Sequence, residues 1–478
     1  RVAKLQQMGC NSWRTAHNAP TPALLDVTDR LGFLVWDENH RNGQDDELRR
    51  LVLRDRNHPS VILWSICNEK LCDTSDTLND AKRMHNSFHF LDPAGGRLVS
   101  ANYNGWLGPD TPLDVQGIDY ATQQYDSVHK NAPSKPAISS ETSSAVSDRG
   151  EYFNNETEGH VRGYDTEHPS WGQTAEAAWG GVGVKDLQGI LTRPFIAGGF
   201  TWTGWDYKGE PTPYGWPDIN SHFGILDIAG FEKDRFYWYK AHFLEYAPGT
   251  GMVHLLPHWN WASSVVSSYP HLAPCVGRCS VATDGSLTVE VWAFSNGAKV
   301  ELFVNGKSAG LAYPVAGNLS HFRWAKVPYT AGEIKALAYD AKGDEIATQT
   351  VVTTGRATSL RLSVRDGVGN LTEGLVASCN DVLLLQVEVI DAAGRVVPTA
   401  SDLVSLAVSG DALAFLGGGN GDPSGHTPDK SATRPTFHGL LLGVFGSTKH
   451  AGIATVTATA SGLVSASLDV RVHEPVFG

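Results

Sequence analysis

No apolar run in these 478 residues approaches the roughly 18 that a membrane-spanning helix needs. Basic residues are also in short supply. Lys and Arg total 38 against 51 Asp and Glu, a formal net charge of −13. That balance argues against a nucleic-acid or anionic-membrane surface and suits a neutral or cationic small substrate. Cysteine is scarce, at six. Cys275 and Cys279 are close enough in sequence to bridge, and so are Cys67 and Cys72. Neither pair has the second pair that a structural zinc site would need, and free buried thiols are the commoner outcome. Trp and Tyr stop altogether after Tyr339, and ten of the 14 tryptophans precede residue 249. Sugar sites favour large aromatic faces under apolar C–H groups, so the last part of the chain reads as structural. No signal peptide is visible. The chain opens at Arg1, inside what reads as an element, so this leaves the compartment undetermined, with a secreted or periplasmic setting somewhat favoured.

The length is too great for one core and suggests about three domains. From residue 1 to about 248, short β-branched runs alternate with helical windows. The runs are Asn11–Thr15, Phe33–Asp37, Val61–Ile66, Leu98–Ala101, Val115–Ile118, Ala137–Ser140 and Ile196–Trp202. Helices are expected at Val2–Met8 (capped by Gly9), Pro22–Leu31, Asp46–Arg54 and Thr77–Leu91. Such alternation predicts parallel strands with crossover helices. Seven strands are countable where a (β/α)₈ barrel needs eight, and the missing one should be the first. Near Pro248-Gly249 the texture changes to strands without long helical windows. Val300–Val304 runs into an Asn305-Gly306 hairpin signal, and Lys342-Gly343 marks another turn. Residues 249–355 therefore read as one β-sandwich and 356–478 as a second, immunoglobulin-like one, with Gly417–Gly425 as an irregular loop. The expected class is α/β plus all-β: a TIM barrel lacking its first strand in 1–248, then two sandwiches.

Breaking an acetal takes two carboxyl groups across the bond, and in a barrel both should sit where strands end. Two glutamates meet that condition. The run Val61–Ile66 ends in Cys67-Asn68-Glu69, and Pro136–Ser140 ends in Glu141. Counted within an eight-stranded barrel these are strands four and seven, close to opposite sides of the mouth. For any one glutamate after a strand, a solvated loop position is the commoner explanation. Two of them facing one mouth carry more weight.

Several segments then resemble glycoside hydrolase family 2. Gly9-Cys-Asn-Ser-Trp-Arg14-Thr-Ala-His17-Asn-Ala-Pro20 is similar to that family's G-x-N-x-x-R-x-x-H-x-P segment, and Leu31–Glu38 to its G-x-x-V-x-x-E strand. Arg54-Asp-Arg-Asn-His58 through Asn68-Glu69 resembles the acid/base signature. Pro136–Gly150 resembles the nucleophile segment of the bacterial β-galactosidase branch, Gly199–Pro211 that branch's eighth strand, and His254–Trp261 the start of its next domain. The resemblance implies Glu69 as acid/base and Glu141 as nucleophile. It implies Asn68 on the sugar hydroxyl beside the anomeric carbon and Tyr120 on the nucleophile's carboxylate. Arg14 and His17 would line the pocket, and Trp202 would form the sugar platform with Trp205 and Asp206 nearby. Arg14, His17 and Trp202 also have ordinary readings: a barrel ion pair, a satisfied loop histidine and core packing.

The implied activity is a retaining, exo-acting β-glycosidase cleaving terminal β-galactosides, with carboxyl groups about 5–5.5 Å apart. Other family activities, β-mannosidase or exo-β-glucosaminidase, are the alternatives within the enzyme class. The alternative outside it is a weakly catalytic carbohydrate-binding fragment. The Asn-x-Lys element that the family's β-glucuronidases use is not evident, which counts against that substrate. No cofactor or metal is expected. Asp37-Glu38-Asn39-His40 holds ligand residue types without the relatives' spacing, and His85 and His89, four apart on a helix, lack an evident third ligand. The expected partner is a carbohydrate, with no nucleic acid or membrane, and a homo-oligomer is left open. The resemblance also implies two N-terminal β domains ahead of Arg1, so the chain is expected to be a fragment, weakly active or inactive as it stands.

Overall fold

Amphipathic windows and β-branched runs alternate through the first half of the chain, and the backbone follows them. The computed structural model describes residues 1–39, 45–69, 77–94, 96–103, 111–152, 158–161, 183–244, 249–261, 279–281, 287–315, 320–365 and 374–475. Seven strands, β1 (Ser12–Arg14), β2 (Leu34–Glu38), β3 (Val61–Asn68), β4 (Leu98–Tyr103), β5 (Gln116–Asp119), β6 (Ala137–Thr142) and β7 (Ile196–Thr201), pair in chain order into one parallel sheet. Among the described residues six α-helices accompany them: α1 (Val2–Met8), α2 (Pro22–Leu31), α3 (Asp45–Asp55), α4 (Thr77–Leu91), α5 (Tyr125–Asn131) and α6 (Gly183–Leu191). Pro22 starts α2, where a missing N–H costs nothing, and Gly32 stops it at φ 64°. Gly9 closes α1 in the same left-handed way, at φ 97°.

Seven of the eight residues of β3 are buried, which is why it reads as a continuous apolar run rather than an alternating one. Its Trp64 and Ile66 join Leu25, Leu48, Val52, Phe88 and Val99 in the layer between the strands and helices α2–α4. Trp36, Leu63 and Val115 fill the inside of the barrel, against Ile138 and Phe200. The sheet curls until its two ends meet at the mouth: His17, just after β1, stacks on Trp202, just after β7, with ring centroids 5.0 Å apart.

Two compact units are present, Arg1–Val146 with Asp165–Gly204, and Ser147–Tyr164 with Trp205–Gly478. Among the described residues the second unit holds a helix at Asp234–Phe243 and four sheets, antiparallel except where Leu375–Val376 pairs parallel with Ala466–His473. One sheet joins Val253–Leu256, Leu287–Ser295 and His321–Pro328, with Cys279–Val281 at its side, and another joins Lys307–Ala312, Lys299–Val304, Glu333–Tyr339 and Glu345–Val352. Val304 pairs with Lys307 across Asn305 (φ 47°) and Gly306 (φ 76°), the two positive φ values of a type I′ hairpin. The remaining two sheets enclose one core. Leu383, Leu385, Val387, Leu441 and Phe445 face Val404, Leu406, Val456 and Val470 across it.

Two expectations are corrected. Gly417–Gly419 belong to the strand Leu413–Gly419 and pair with Leu442–Val444, so the loop begins only at Asn420. The neighbouring backbone comes so close that a Cβ on Gly418 would sit 2.8 Å from the Leu442 carbonyl oxygen, so glycine there is a packing requirement and not a sign of irregularity. Cys67 is disulfide-bonded and not a free thiol. Cys10 and Cys379 are free, and burial pushes the Cys10 thiol up to about 12; Cys72 and Cys275 lie outside the described residues.

Candidate active site

Parallel strands bring all their C-terminal ends to one rim, and polar side chains collect there. Arg14 ends β1, Glu38 ends β2, Asn68 ends β3, Asn102 is next to last in β4, Asp119 ends β5 and Glu141 is next to last in β6. Register aligns Asn68 with Asn102 and Asp119 with Glu141. Just beyond these ends, Glu69 (φ 45°), Tyr120 (φ 53°) and Ser143 (φ 62°) take left-handed backbone angles that side-chain-bearing residues rarely adopt. Three such residues at one rim mark a place where geometry is held against local preference.

Glu141 is the best-anchored carboxylate of the set. Arg14 Nη1 donates to its Oε1 at 2.6 Å and Tyr120 Oη to its Oε2 at 2.8 Å. Tyr120 Oη also lies 2.7 Å from Ser144 Oγ, and burial, then the charge of Glu141, raise the phenol's pKa well above its ordinary value, so it remains a donor. Arg14 is the hub. Its Nε donates to Glu38 Oε2 at 2.8 Å, its Nη1 also to the Ser140 carbonyl at 3.2 Å, and its Nη2 to Asn68 Oδ1 at 2.7 Å. Burial alone would discourage its charge, but Glu38, Glu141 and Asp119 outweigh that and hold the pKa above the ordinary value. Because Arg14 can only donate, Asn68 must turn its oxygen inward, which leaves its N–H₂ as the group to offer a ligand.

Glu69 lies opposite. Carboxylate oxygens of Glu69, Asp119 and Glu141 all fall within 4.8 Å of one another. Asp119 is fully buried. Ser140 Oγ donates to its Oδ1, and its Oδ2 accepts no hydrogen bond among the described residues. Burial first, then the charge of Glu141, raise its pKa well above the ordinary carboxylate value, which favours its neutral form. Three oxygens this close would suit a hard cation by ligand type. The guanidinium of Arg14 already sets a positive charge against Glu141.

Of the nine residues singled out from sequence, seven meet at this rim: Arg14, His17, Asn68, Glu69, Tyr120, Glu141 and Trp202. His17 Nδ1 lies 3.1 Å from Glu38 Oε1, and its ring, stacked on Trp202, closes the wall between β1 and β7. Trp205 and Asp206 belong to the second unit. There Asp206 receives Lys233 Nζ at 2.6 Å on Oδ2 and the Gly224 N–H at 2.7 Å on Oδ1; burial lifts its carboxyl to about 7 despite Lys233. Sequence reasoning passed over Asn102 and Asp119, and gave Glu38 no role in the site although it lies in the strand that resembles the family's. Asn102 Nδ2 donates to Glu38 Oε2 at 2.5 Å, completing the support behind Arg14. A usable signal existed: a polar residue at the end of every barrel strand. A further correction concerns His85 and His89. Expected to lack a third partner, they converge on Asp114. His40, of the candidate metal segment, lies outside the described residues.

The TIM barrel domain of glycosyl hydrolases family 2 matches residues 42–152, the glycoside hydrolase family 2 C-terminal domain 5 matches 371–469, and a domain of unknown function matches 287–347. The chain is 32% identical to the β-galactosidase BoGH2A of Bacteroides ovatus, over 98% of its own length and 58% of that relative's. It is 27% identical to a putative β-glucuronidase of Formosa agariphila, over 93% of its own length and 43% of that one's. Among solved structures, a β-glycosidase from Bacteroides vulgatus superposes with a TM-score of 0.79 at 25% identity, over 98% of this chain and 60% of that one. The chain thus spans between 43% and 60% of the length of these three relatives.

Proposed function

This chain belongs to glycoside hydrolase family 2, and from that membership we propose a retaining, exo-acting β-glycosidase that hydrolyses terminal β-galactosides. The observation that carries the reading is the carboxylate pair, with oxygens of Glu69 and Glu141 within 4.8 Å. That suits the separation of about 5–5.5 Å used for direct attack, and not the roughly 6.5–9.5 Å that leaves room for an inverting water. Glu141, oriented by Arg14 and Tyr120, attacks the anomeric carbon as the bond to the leaving oxygen breaks, and Glu69 gives that oxygen its proton. In the second half Glu69 takes a proton from water, whose oxygen displaces Glu141 from the same carbon. Asn68 holds the neighbouring sugar hydroxyl, Arg14 and His17 line the pocket, and Trp202 lies under the sugar, with Trp205 and Asp206 assigned to the pocket by resemblance alone. In this reading residues 1–248 form the catalytic barrel, while 249–355 and 356–478 form two sandwiches without catalytic residues.

The galactoside preference rests on the 32% identity to a β-galactosidase over nearly the whole chain. A β-glucuronidase is the second reading, favoured by the match to a putative one at 27% identity. β-Mannosidase and exo-β-glucosaminidase would use the same carboxylate pair. Nitrophenyl β-galactoside, β-glucuronide, β-mannoside and β-glucosaminide, assayed side by side, separate these readings. The highest kcat/KM is expected on the galactoside, and a 2-fluoro-galactosyl inactivator should label Glu141. Turnover of the glucuronide alone would replace the substrate assignment. Labelling of any other residue would remove the mechanism.

A further inference from the structure

Helix α4 carries His85 and His89 one turn apart, so both rings leave the same face. The third group comes from the chain ahead of β5. Asp114 is tied to the start of β4 twice over: its backbone N–H donates to the Val99 carbonyl at 2.9 Å, and the Val99 N–H donates to its Oδ2 at 2.9 Å. The carboxylate is therefore fixed by backbone before any side chain reaches it. His85 Nε2 lies 3.0 Å from Oδ1 and His89 Nε2 2.9 Å from Oδ2, with ring centroids 4.5 Å apart. One donor atom from each of the three side chains falls within 4.8 Å of the others. His85 and Asp114 are partly buried, at 18% and 26% side-chain exposure, while His89 opens to solvent at 40%.

We propose that His85, His89 and Asp114 form a binding site for a d-block divalent cation of the zinc class. Two imidazoles and one carboxylate are the ligand set such ions take, and a set with two nitrogens disfavours magnesium or calcium. Metal bonds of about 2.0–2.2 Å in a tetrahedron put ligand atoms about 3.3–3.5 Å apart. The His85 Nε2–Oδ1 separation of 3.0 Å needs to widen by only a few tenths of an ångström, and His89 Nε2 would turn from Oδ2 toward the ion. Each imidazole would carry its proton on Nδ1 and present the bare Nε2. Oδ1 of Asp114 would take the ion while Oδ2 keeps its bond from Val99, the kind of outer support that orients a ligand. Water would fill the fourth position on the open side of His89. Asp114 and Val99 lie where β5 and β4 begin, and Asn102, Asp119 and Glu141 lie where strands end, so the site sits at the other end of the barrel from the carboxylates. A cation there would fasten α4 to β4 and β5 and act on stability, independently of any glycosidase chemistry.

The competing state is metal-free, with two neutral imidazoles each donating to one carboxylate. Calorimetry of the chelator-treated chain with zinc chloride, paired with thermal melts, distinguishes the two. One equivalent of zinc is expected to bind and to raise the melting temperature. Cobalt(II) at the same site should give the visible absorption bands of a tetrahedral nitrogen–oxygen set. His85→Ala and His89→Ala should each weaken that equivalent by about tenfold or more. His89→Gln can still hydrogen-bond Asp114, so it separates loss of metal from loss of fold: its metal-free melt should match the parent's while its zinc affinity drops. Absence of a stoichiometric equivalent in the parent chain, or undiminished binding in all three variants, would overturn the proposal.

Discussion

Arg14 spends its guanidinium on Glu38, Glu141, Asn68 and the Ser140 carbonyl, all buried or nearly so. A lysine ammonium cannot span that fork. Arg14→Lys is expected to leave buried carboxylates short of a partner, at a cost of about 3–5 kcal/mol, and to lower kcat/KM even where the fold survives. A melt and a rate both within error of the parent's would show that the network does not position Glu141. The two glutamates should fail differently. Glu141→Gln should abolish the covalent intermediate on every substrate. Glu69→Gln should spare activated nitrophenyl glycosides far more than alkyl ones, because good leaving groups need no proton. Equal losses on both substrate types for Glu69→Gln would contradict its assignment as the acid. Burial, then the charge of Glu141, favour the neutral form of Asp119, so Asp119→Asn is expected to cost little; a collapse of kcat/KM in that variant would mean the charged form is needed.

At the scale of elements, a narrow point in the barrel lies between β4 and β5. A Cβ on Gly117 of β5 would meet the Ala101 carbonyl oxygen of β4 at 2.2 Å and Trp36 Cη2 at 3.1 Å. Backbone cannot rotate away as a side chain can, so Gly117→Ala should destabilise the barrel by at least the roughly 1–3 kcal/mol of overpacking. It should also shift Asp119 and Tyr120, two and three residues on, so the rate should fall in the fraction that stays folded. Unchanged melting and rate would mean β4 and β5 can separate freely. Element boundaries were largely readable: Pro22–Leu31 and Thr77–Leu91 coincide with α2 and α4, because a starting proline, a closing glycine and the apolar spacing are all local signals. Helices α5 and α6 went unrecognised. At seven and nine residues they are short, and most of their support comes from packing against neighbours.

At the scale of the whole molecule, two buried histidines of the second unit govern response to alkali. His222 faces Asp148 at 2.9 Å and Asp218 at 3.7 Å, with Lys233 on its carbonyl; His160 faces Asp422 and Glu151, each at 3.2 Å. Burial works against both charges, but the carboxylates prevail and raise each pKa to about 9. A raised folded value stabilises fully below the unfolded pKa of about 6.5 and is lost as pH climbs through about 9, on the order of 3 kcal/mol apiece. Melting temperature should therefore fall between about pH 6.5 and 9, and His222→Gln should be less stable at neutral pH and show a flatter decline. His258 acts on the other limb: burial, then His438, hold it near 3, so stability is lost as pH drops below about 6.5. A melting temperature level from pH 6.5 to 9.5 would show that these histidines are not charged in the fold.

Sequence alone determined the periodic elements, the change of texture near residue 249 and the placement of Glu69 and Glu141 at strand ends, since these depend on neighbours within a few positions. The Asn305-Gly306 hairpin belongs with them, because two positive φ angles are a local demand. Which side chains share a site was decided only by tertiary structure. Glu38, Asn102 and Asp119 lie at different points along the chain, and parallel pairing is what carries them to one rim beside Arg14. The same holds for Asp114, which meets His85 and His89 only because β4 and β5 pair beneath α4. Proton affinities followed the same division. Residue type sets the starting value, but the shifts at Asp119, His160 and His222 come from burial and from charges whose distances exist only once the chain has folded.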